Sequence, residues 1–285
     1  MMTNLNVIGV IPARYASKRL PFKLLRSLCG KTLLQWSWEN ASSAGILDKL
    51  IIACDHLELE KEAKDFGAEV VMTSVDHSSG TDRIAEAVRD IDVNIVINIQ
   101  ADEPLLHPSV INNLAQEMLS NPNLIMATAK KRIEDKEEIA NPNVVKVICD
   151  KSNYAVYFSR FPLPFFRNHN TSEVNNVSAA KLPPACCSSE VREADNREIL
   201  KSDSKEAIYY KHLGVYAYTK DFLYTFKNSP RSYLEQAEKL EQLRAIESGY
   251  KIKVIETQFD SLGVDTAEDL KRVENILGEK LKNPK

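Results

Sequence analysis

The residues of this chain that could do chemistry begin with a cluster of cations close to its start. Four lysine and arginine side chains fall within the ten residues from Arg14 to Lys23, directly after an almost entirely apolar run at 7–12. Such a run is typical of a strand buried on both faces, and open α/β sheets bind polyanions beyond the carboxyl ends of such strands. We therefore predict that Arg14, Arg19 and Lys23 grip nucleotide phosphates. The alternative is a solvated basic loop.

Two carboxylates stand at the ends of later predicted elements and are candidate metal ligands. Asp102 follows the buried-strand pattern at 94–100, and Asp265 precedes a predicted helix after the last strand. Mg²⁺ prefers one or two carboxylates together with phosphate oxygens, so one acid from each segment would suffice. The alternatives are a turn acid before Pro104 and a simple helix-start residue, respectively.

A segment of small and hydroxylic residues, 76–83, could contact a nucleoside. Ser79 and Gly80 open a predicted helix there, and free backbone N–H groups and hydroxyls at a helix start can bind a ribose or a base edge. Ordinary helix capping explains the same residues equally well.

Several well-known motifs are excluded by the sequence. The stretch Gly30-Lys31-Thr32 imitates the end of a phosphate-binding P-loop, but Leu25 stands where that loop needs a second glycine. No G-x-G-x-x-G follows a strand, no zinc-ligand spacing occurs, and no serine has nucleophile-elbow glycines. The chemistry therefore has to come from the cations and carboxylates described above.

Composition limits the class of protein. The chain has 285 residues, a formal net charge of −3 and 44% hydrophobic residues, which is typical of a globular protein without a general nucleic-acid surface. No apolar run is long enough to span a bilayer and the first residues do not resemble a signal peptide. The 5 cysteines are an odd number without metal-ligand spacing, so we expect reduced thiols in a cytoplasmic protein.

Strand and helix patterns alternate along the chain, which predicts a single α/β domain over 1–285 with a mostly parallel central sheet flanked by helices. The predicted strands are 7–12, 49–54, 69–73, 94–100, 124–129, 144–149, 212–218 and 251–257. The predicted helices are 32–44, 58–66, 81–90, 108–119, 153–159, 220–227, 233–248 and 266–278. Thr32 and Thr266 are predicted helix caps. The polar stretch 166–207 is predicted to be a flexible insertion, either tolerated at the surface or acting as a lid.

Specific motifs connect these observations to a known family. They are Arg-Tyr-Ala-Ser-x-Arg-Leu-Pro-x-Lys at 14–23, Ser-Gly-Thr-Asp-Arg at 79–83, Gln-x-Asp-Glu-Pro at 100–104, Asn-Pro-Asn-Val-Val-Lys at 141–146, Ala-x-Tyr-Phe-Ser-Arg at 155–160, His-Leu-Gly-Val-Tyr at 212–216 and Leu-Glu-Gln-Leu-Arg at 240–244. In this order, over nearly the whole chain, they resemble 3-deoxy-manno-octulosonate (Kdo) cytidylyltransferases. The basic loop is shared with other cytidylyltransferases, whereas the Gln-x-Asp-Glu-Pro, Phe-Ser-Arg and His-Leu-Gly-Val-Tyr motifs are specific to the Kdo branch.

The resemblance implies a fold and a reaction. The fold would be that of nucleotide-diphospho-sugar transferases, which is Rossmann-like and GT-A-like, with a smaller part for dimerisation and sugar binding. The substrates would be CTP and Kdo, and the products CMP-Kdo for lipopolysaccharide synthesis and pyrophosphate. The family is usually homodimeric.

The resemblance also implies roles by position. The CTP-binding residues would be Arg14, Arg19, Lys23, Ser79, Gly80 and Gln100. Asp102 and Asp265 would hold Mg²⁺ and act with Lys23 in catalysis. The residues that meet the sugar acid would be Arg160, His212, Tyr216, Glu241 and Gln242. For the last two, a helical apolar stripe through Leu234, Ala237, Leu240, Leu243 and Ile246 offers the alternative that they form its polar edge.

Four departures from the family pattern bear on activity. Phe22 and Ala101 replace glycines, Leu24 replaces a proline, and 166–207 is longer than usual. If position 22 or 101 needs a positive φ, a side chain there costs on the order of 1 kcal/mol or more. Phe22 could also crowd the triphosphate. The alternatives to Kdo transfer are therefore a cytidylyltransferase for another sugar acid, 8-amino-Kdo or sialic-acid-like, and an inactive nucleotide-binding relative.

Overall fold

The computed structural model describes residues 5–17, 19–166 and 207–282. The strands are β1 (Leu5–Ala13), β2 (Ser27–Leu28), β3 (Lys31–Thr32), β4 (Lys49–Cys54), β5 (Glu69–Met72), β6 (Val93–Asn98), β7 (Met126–Arg132), β8 (Lys146–Cys149), β9 (Ala155–Ser159), β10 (Tyr210–Thr219) and β11 (Lys253–Glu256). The helices are α1 (Leu33–Ser42), α2 (Leu57–Asp65), α3 (Gly80–Ala87), α4 (Pro108–Ser120), α5 (Lys136–Ala140), α6 (Lys220–Asn228), α7 (Tyr233–Glu238), α8 (Leu243–Glu247) and α9 (Ala267–Lys282). The predicted insertion at 166–207 lies outside the described residues apart from its two end residues.

The main sheet has the strand order β11-β7-β10-β6-β1-β4-β5. Along this path β10 is antiparallel to both of its neighbours, and the other described pairs are parallel. The hairpin of β8 and β9 joins the sheet through β10. The predicted mostly parallel α/β sheet is therefore confirmed. In the described ranges no helix is both long and apolar enough to cross a membrane.

Strand β1 lies inside the sheet between β6 and β4, and this position explains the apolar run at 7–12. Val7 and Ile11 belong to one buried cluster, whereas Ile8 and Val10 belong to a second cluster. Because successive side chains of a strand point to opposite faces, β1 contributes to a core on each side of the sheet. Its partners β4 and β6 run parallel to it, so all three strands end at the same edge.

One predicted helix is wrong. Within the helix predicted at 153–159, residues 155–159 form strand β9, and β9 pairs antiparallel with β8. The turn between the two strands has Asn153 at a φ of 59°, and the Asp150 carboxylate accepts the backbone N–H groups of Ser152 and Tyr154. Asn and Asp favour such turns, and the aromatic and β-branched residues that follow favour a strand.

A second prediction was wrong in its extent. The single helix predicted at 233–248 is divided into α7 and α8, because Lys239 adopts a left-handed conformation with a φ of 56°. The predicted apolar stripe is therefore not one helix face: Leu240 and Leu243 are buried but Ala237 is exposed. The break places Glu241 and Gln242 in the link before α8.

The predicted helix starts are confirmed. The Thr32 hydroxyl accepts the Gln35 N–H at the start of α1. At the start of α9 the Thr266 hydroxyl accepts the Asp269 N–H, and the Asp269 carboxylate accepts the N–H of Thr266. Short elements that carry too few residues for a periodic pattern, namely β2, β3 and α5, were not predicted.

Phe22 adopts the left-handed conformation that its family position suggested. Its φ is 54° and its ψ is 36°, immediately before a short 3₁₀ turn at Lys23–Leu25. The side chain is 50% exposed and its ring lies 5.0 Å from the ring of Tyr15. The phenyl ring therefore packs on an aromatic neighbour, while the backbone carries the strain of a non-glycine residue at positive φ.

This conformation predicts different stabilities for two variants at position 22. Phe22→Gly and Phe22→Ala both lose the ring contact, but only alanine retains a Cβ at positive φ. We expect Phe22→Gly to have a free energy of unfolding about 1 kcal/mol higher than that of Phe22→Ala in urea titrations. Equal stabilities would mean that residue 22 is not left-handed in solution.

Candidate active site

A cleft of about 400 Å³ opens at the carboxyl ends of β1 and β6. Its walls come from the basic loop, the start of α3, the turn after β6 and the residue before Thr266. The residues that line it are Pro12, Arg14, Ser17, Arg19, Lys23, Leu24, His77, Ser78, Ser79, Gly80, Arg83, Gln100, Ala101, Asp102 and Asp265. All the residues predicted to bind CTP or metal therefore meet in one cleft.

Lys23 lies at the centre of the charges in this cleft. Its ammonium donates to Asp102 Oδ2 at 2.5 Å and to Asp265 Oδ1 at 3.0 Å. The Arg19 guanidinium pairs with the other oxygen of Asp265 at 2.8 Å. The Lys23 side chain is only 12% exposed, so this interaction is shielded from water more than a surface ion pair is.

Hydrogen bonds of the backbone fix the positions of Asp102 and Asp265. The Val264 N–H donates to the Asp102 carbonyl at 2.9 Å, which joins the segment before α9 to the turn after β6. The Asp265 N–H donates to the carboxylate of Asp269, so the capping of α9 is done by Asp269 and Thr266. The side chain of Asp265 is therefore directed into the cleft.

The donor set fits a magnesium ion. Asp102 and Asp265 converge on one ammonium group, so their oxygens face a common point. Among the residues that the structure describes, no cluster of three or more His, Cys, Asp or Glu side chains could enclose a metal. Two carboxylates without a closed cage are what Mg²⁺ uses when substrate phosphates and water complete its coordination.

Ser79 serves helix α3, and it also faces the cleft. Its hydroxyl caps α3 in a capping box with Asp82, which confirms the capping alternative, while the residue also lines the cleft. Gly80 approaches β1 closely, because a Cβ at this position would lie 3.3 Å from Pro12 Cγ. The absence of a side chain lets the start of α3 lie directly against the end of β1.

A buried network that sequence reasoning missed joins α3 to the basic loop. The Arg83 guanidinium donates to Thr73 Oγ1 at 2.6 Å and to Asp55 Oδ2 at 2.8 Å. The other Asp55 oxygen accepts the backbone N–H of Tyr15 at 2.8 Å. The signal that could have found this network is an acid directly after the apolar strand pattern at 49–54.

Two departures from the family pattern are accommodated. Ala101 is buried, is absent from the described non-glycine residues with positive φ, and its carbonyl accepts the Ser37 hydroxyl at 2.8 Å. Phe22 does not line the cleft, because its ring lies against Tyr15. Ala101 therefore carries no strain from a positive φ, and the Phe22 ring does not crowd the cleft, although the Phe22 backbone keeps its positive φ.

The residues predicted to meet the sugar acid do not line this cleft but form a group beside it. Tyr216 on β10 is paired with Asn98 at the end of β6, and the rings of Tyr216 and His212 are 5.3 Å apart. Glu241 accepts the hydroxyl of Thr81, the residue after Gly80, at 2.8 Å. These contacts place the group next to the wall of the cleft that the start of α3 forms.

Arg160 is held at the edge of this group by main-chain oxygens. Its guanidinium donates to the Glu238 carbonyl at 2.8 Å and to the Pro142 carbonyl at 2.9 Å. The turn that contains Pro142 is fixed by Lys146, whose buried ammonium donates to the carbonyls of Asn141 and Val144. Burial lowers the pKa of Lys146 to about 8. Sequence reasoning quoted Lys146 in a motif but gave it no role.

Gln242 carries an unsatisfied polar atom in this group. The side chain is 4% exposed, and its amide nitrogen has no hydrogen-bond partner. Buried polar groups are nearly always hydrogen-bonded, so such an atom needs an explanation. A polar ligand that accepts a hydrogen bond would provide one.

His212 and Tyr216 are both held in their neutral forms. Burial lowers the pKa of His212 to about 3 and raises the pKa of Tyr216 well above its ordinary value. The His212 Nε2 lies 2.9 Å from the Thr128 hydroxyl. A neutral imidazole and a protonated phenol can hydrogen-bond sugar hydroxyls without adding charge.

Comparison with known proteins agrees with this geometry. A family model described as "Cytidylyltransferase" matches residues 8–252. A 3-deoxy-manno-octulosonate cytidylyltransferase of Solibacter usitatus is 43% identical, over 95% of this chain and 94% of the relative. One from Fusobacterium nucleatum is 40% identical, over 95% and 97%. The chain belongs to the 3-deoxy-manno-octulosonate cytidylyltransferase family.

Solved structures extend the likeness to the fold. A CMP:2-keto-3-deoxy-manno-octonic acid synthetase in complex with CTP matches with a TM-score of 0.80 and 34% identity, covering 96% of this chain and 99% of the other. An inositol-1-phosphate CTP transferase from T. maritima has a TM-score of 0.60 at 15% identity, which shows a shared fold alone. The predicted family and fold class are thereby confirmed.

The environment of His212 predicts how its replacement changes acid stability. The folded ring resists protonation down to a pKa of about 3, whereas the unfolded ring protonates near 6.5, so His212 lowers the free energy of unfolding as the pH falls through this window. We expect His212→Gln to make this pH dependence shallower, by up to about 1.4 kcal/mol per pH unit. Urea unfolding measured between these pH values tests it, and an unchanged slope would contradict a neutral buried ring.

Proposed function

We propose that this protein transfers a cytidylyl group from CTP to Kdo, releasing pyrophosphate and CMP-Kdo for lipopolysaccharide synthesis. The observation that carries the proposal is the single cleft in which Lys23 joins Asp102 and Asp265, in a chain of this family. The proposal includes a cytoplasmic location, because the substrate CTP is present in the cytoplasm.

The basic loop would bind the triphosphate. Arg14, Arg19 and Lys23 all line the cleft, and two planar guanidinium groups beside one ammonium suit a chain of phosphates. Ser79, Gly80 and Gln100 would face the nucleoside, since they line the wall formed by α3 and the turn after β6.

Asp102 and Asp265 would hold Mg²⁺ on the phosphates. The ion, when bound, supplies Lewis-acid stabilisation of the charge that grows on the transferred phosphate and the leaving group. The two carboxylates keep the ion at one point of the cleft, and Lys23 adds a fixed positive charge for the departing pyrophosphate.

The sugar acid would lie between the cleft and the group beside it that contains His212 and Tyr216. Its anomeric oxygen forms a bond to the α-phosphorus of CTP, while the bond from that phosphorus to pyrophosphate breaks. Arg160, His212, Tyr216, Glu241 and Gln242 would orient the sugar for in-line attack. The unpartnered amide of Gln242 supports this assignment. Catalysis would then rest mainly on positioning and charge neutralisation.

The assay for this proposal is pyrophosphate release from CTP and Mg²⁺. We expect release with Kdo, and only background release with N-acetylneuraminate or without a sugar. An arm with 8-amino-Kdo distinguishes the sibling substrate. Release with another acid in place of Kdo would change the assigned substrate, and no release with any sugar acid would contradict the proposal.

A matched pair of variants ties the activity to the cleft. We expect Asp102→Asn to lose turnover while circular dichroism and urea unfolding show an intact fold, because the amide removes a charge that faces Lys23 and the metal. Asp90→Asn, at an exposed position after α3, is the control and keeps its turnover. Near-normal turnover in Asp102→Asn would contradict the assigned role.

We infer that the protein assembles as a homodimer through the face near β9 and α7. Phe161, Phe165 and Tyr233 are 73%, 78% and 76% exposed, and large exposed apolar side chains of this kind mark interaction surfaces. Light scattering is expected to give twice the 32.1 kDa mass of the chain, and Phe161→Asp is expected to lower it. A monomeric mass for the unmodified protein would contradict the inference.

A further inference from the structure

Glu103 has no assigned role, although it contacts three segments that carry site residues: the turn after β6, the segment before Asp265 and β10. It does not line the cleft, and its side chain is partly buried behind Asp102. One carboxylate oxygen accepts the Ser261 hydroxyl at 2.7 Å, and the other lies directly against Gly214 of β10. Ser261 and Gly214 belong to segments that carry different parts of the site.

The first segment is the turn that contains Asp102. The Glu103 N–H donates to the Gln100 carbonyl at 3.3 Å, and the Leu106 N–H donates to the Glu103 carbonyl at 3.2 Å. The backbone of Glu103 therefore closes the turn that directs Asp102 into the cleft. Its side chain extends away to the other two segments.

The second segment leads to Asp265. Ser261 lies four residues before Asp265, and between them the Val264 N–H donates to the Asp102 carbonyl at 2.9 Å. The neighbouring Asp260 pairs with Lys211 of β10 at 2.8 Å. The contact from Ser261 to Glu103 therefore fixes the approach of this segment to the turn after β6.

The third segment is the part of β10 that carries His212 and Tyr216. Gly214 lies between them, where the register of β10 against β7 shifts, as it does at a β-bulge. A Cβ at Gly214 would lie 2.5 Å from Glu103 Oε1, which real contacts do not allow. The carboxylate of Glu103 thus occupies the space that the glycine leaves, and a Cβ at this position would push the carboxylate aside.

We propose that Glu103 is a positioning residue that sets the distance between the two metal-binding carboxylates and the sugar-binding part of β10. The inference rests on the proposed function, because it concerns the same site. Glu103 acts through Asp102, Asp265 and β10 and does not touch the substrates itself. Loss of groups that orient metal ligands typically costs 10- to 100-fold in metal affinity or activity.

Two substitutions at Glu103 separate hydrogen bonding from charge. In Glu103→Gln the amide nitrogen donates to the Ser261 oxygen and the amide oxygen lies against Gly214, so both contacts are kept. We expect its kcat to stay within about threefold of the unmodified protein. In Glu103→Ala both contacts are lost, and we expect kcat to fall by about 10- to 100-fold and the Mg²⁺ concentration for half-maximal rate to rise.

Two further variants test the contact of Glu103 with Ser261 separately from its contact with Gly214. Ser261→Ala is expected to raise the Mg²⁺ requirement while the KM for Kdo changes little. Gly214→Ala is expected to raise the KM for Kdo more than the KM for CTP. Ser229→Ala, which removes a hydroxyl bonded to a helix carbonyl of α6, is the control and leaves all three quantities unchanged.

Some outcomes would overturn the inference. A Glu103→Gln variant as impaired as Glu103→Ala would mean that charge, and not the hydrogen-bond geometry, is needed. Unchanged kcat and Mg²⁺ dependence in Glu103→Ala would mean that Glu103 has no positioning role, and Ser261→Ala supplies the same test if Glu103→Ala does not fold. Calorimetric binding of CTP with Mg²⁺ needs no sugar, so a weaker affinity in Glu103→Ala supports the inference even if the unmodified protein fails to use Kdo.

Discussion

The site depends on one ammonium group shared by two carboxylates that are distant in sequence. Lys23 is 79 residues from Asp102 and 242 residues from Asp265. Like charges that converge on one point raise each other's energy unless a cation lies between them. The cation comes from the loop after β1, and the acids come from the turn after β6 and the segment before α9. These three segments meet because the parallel strands that precede them end at the same edge of the sheet.

Much of this arrangement was predictable because it follows from the buried strands. The apolar run of β1 places the basic loop, and the end of β6 places Asp102, since parallel strands end together. The β8–β9 hairpin and the break at Lys239 were not predictable by periodicity. In the first case a turn built on Asp150 and Asn153 decides the structure, and in the second a lysine in a left-handed conformation ends α7. In the group beside the cleft, Arg160 follows the β8–β9 hairpin, and Glu241 and Gln242 follow the break at Lys239. This is why the geometry of that group was predicted less well than that of the cleft.

The two halves of the site differ in how they handle charge. The cleft gathers arginine, lysine and aspartate side chains where they remain partly open to water. The group beside the cleft instead holds His212 and Tyr216 in their neutral forms, and the buried amide nitrogen of Gln242 has no hydrogen-bond partner there. Glu103 and Glu241 lie where the two environments meet.

The bond from Asp55 to the basic loop has a consequence for how this loop can change through evolution. Asp55 accepts the main-chain N–H of residue 15, and every amino acid except proline offers that donor. The identity of the side chain at 15 can therefore drift without loss of this anchor, whereas position 55 must keep an acceptor that also satisfies Arg83. A proline at 15 would release the loop two residues beyond the end of β1, even with Arg14, Arg19 and Lys23 retained.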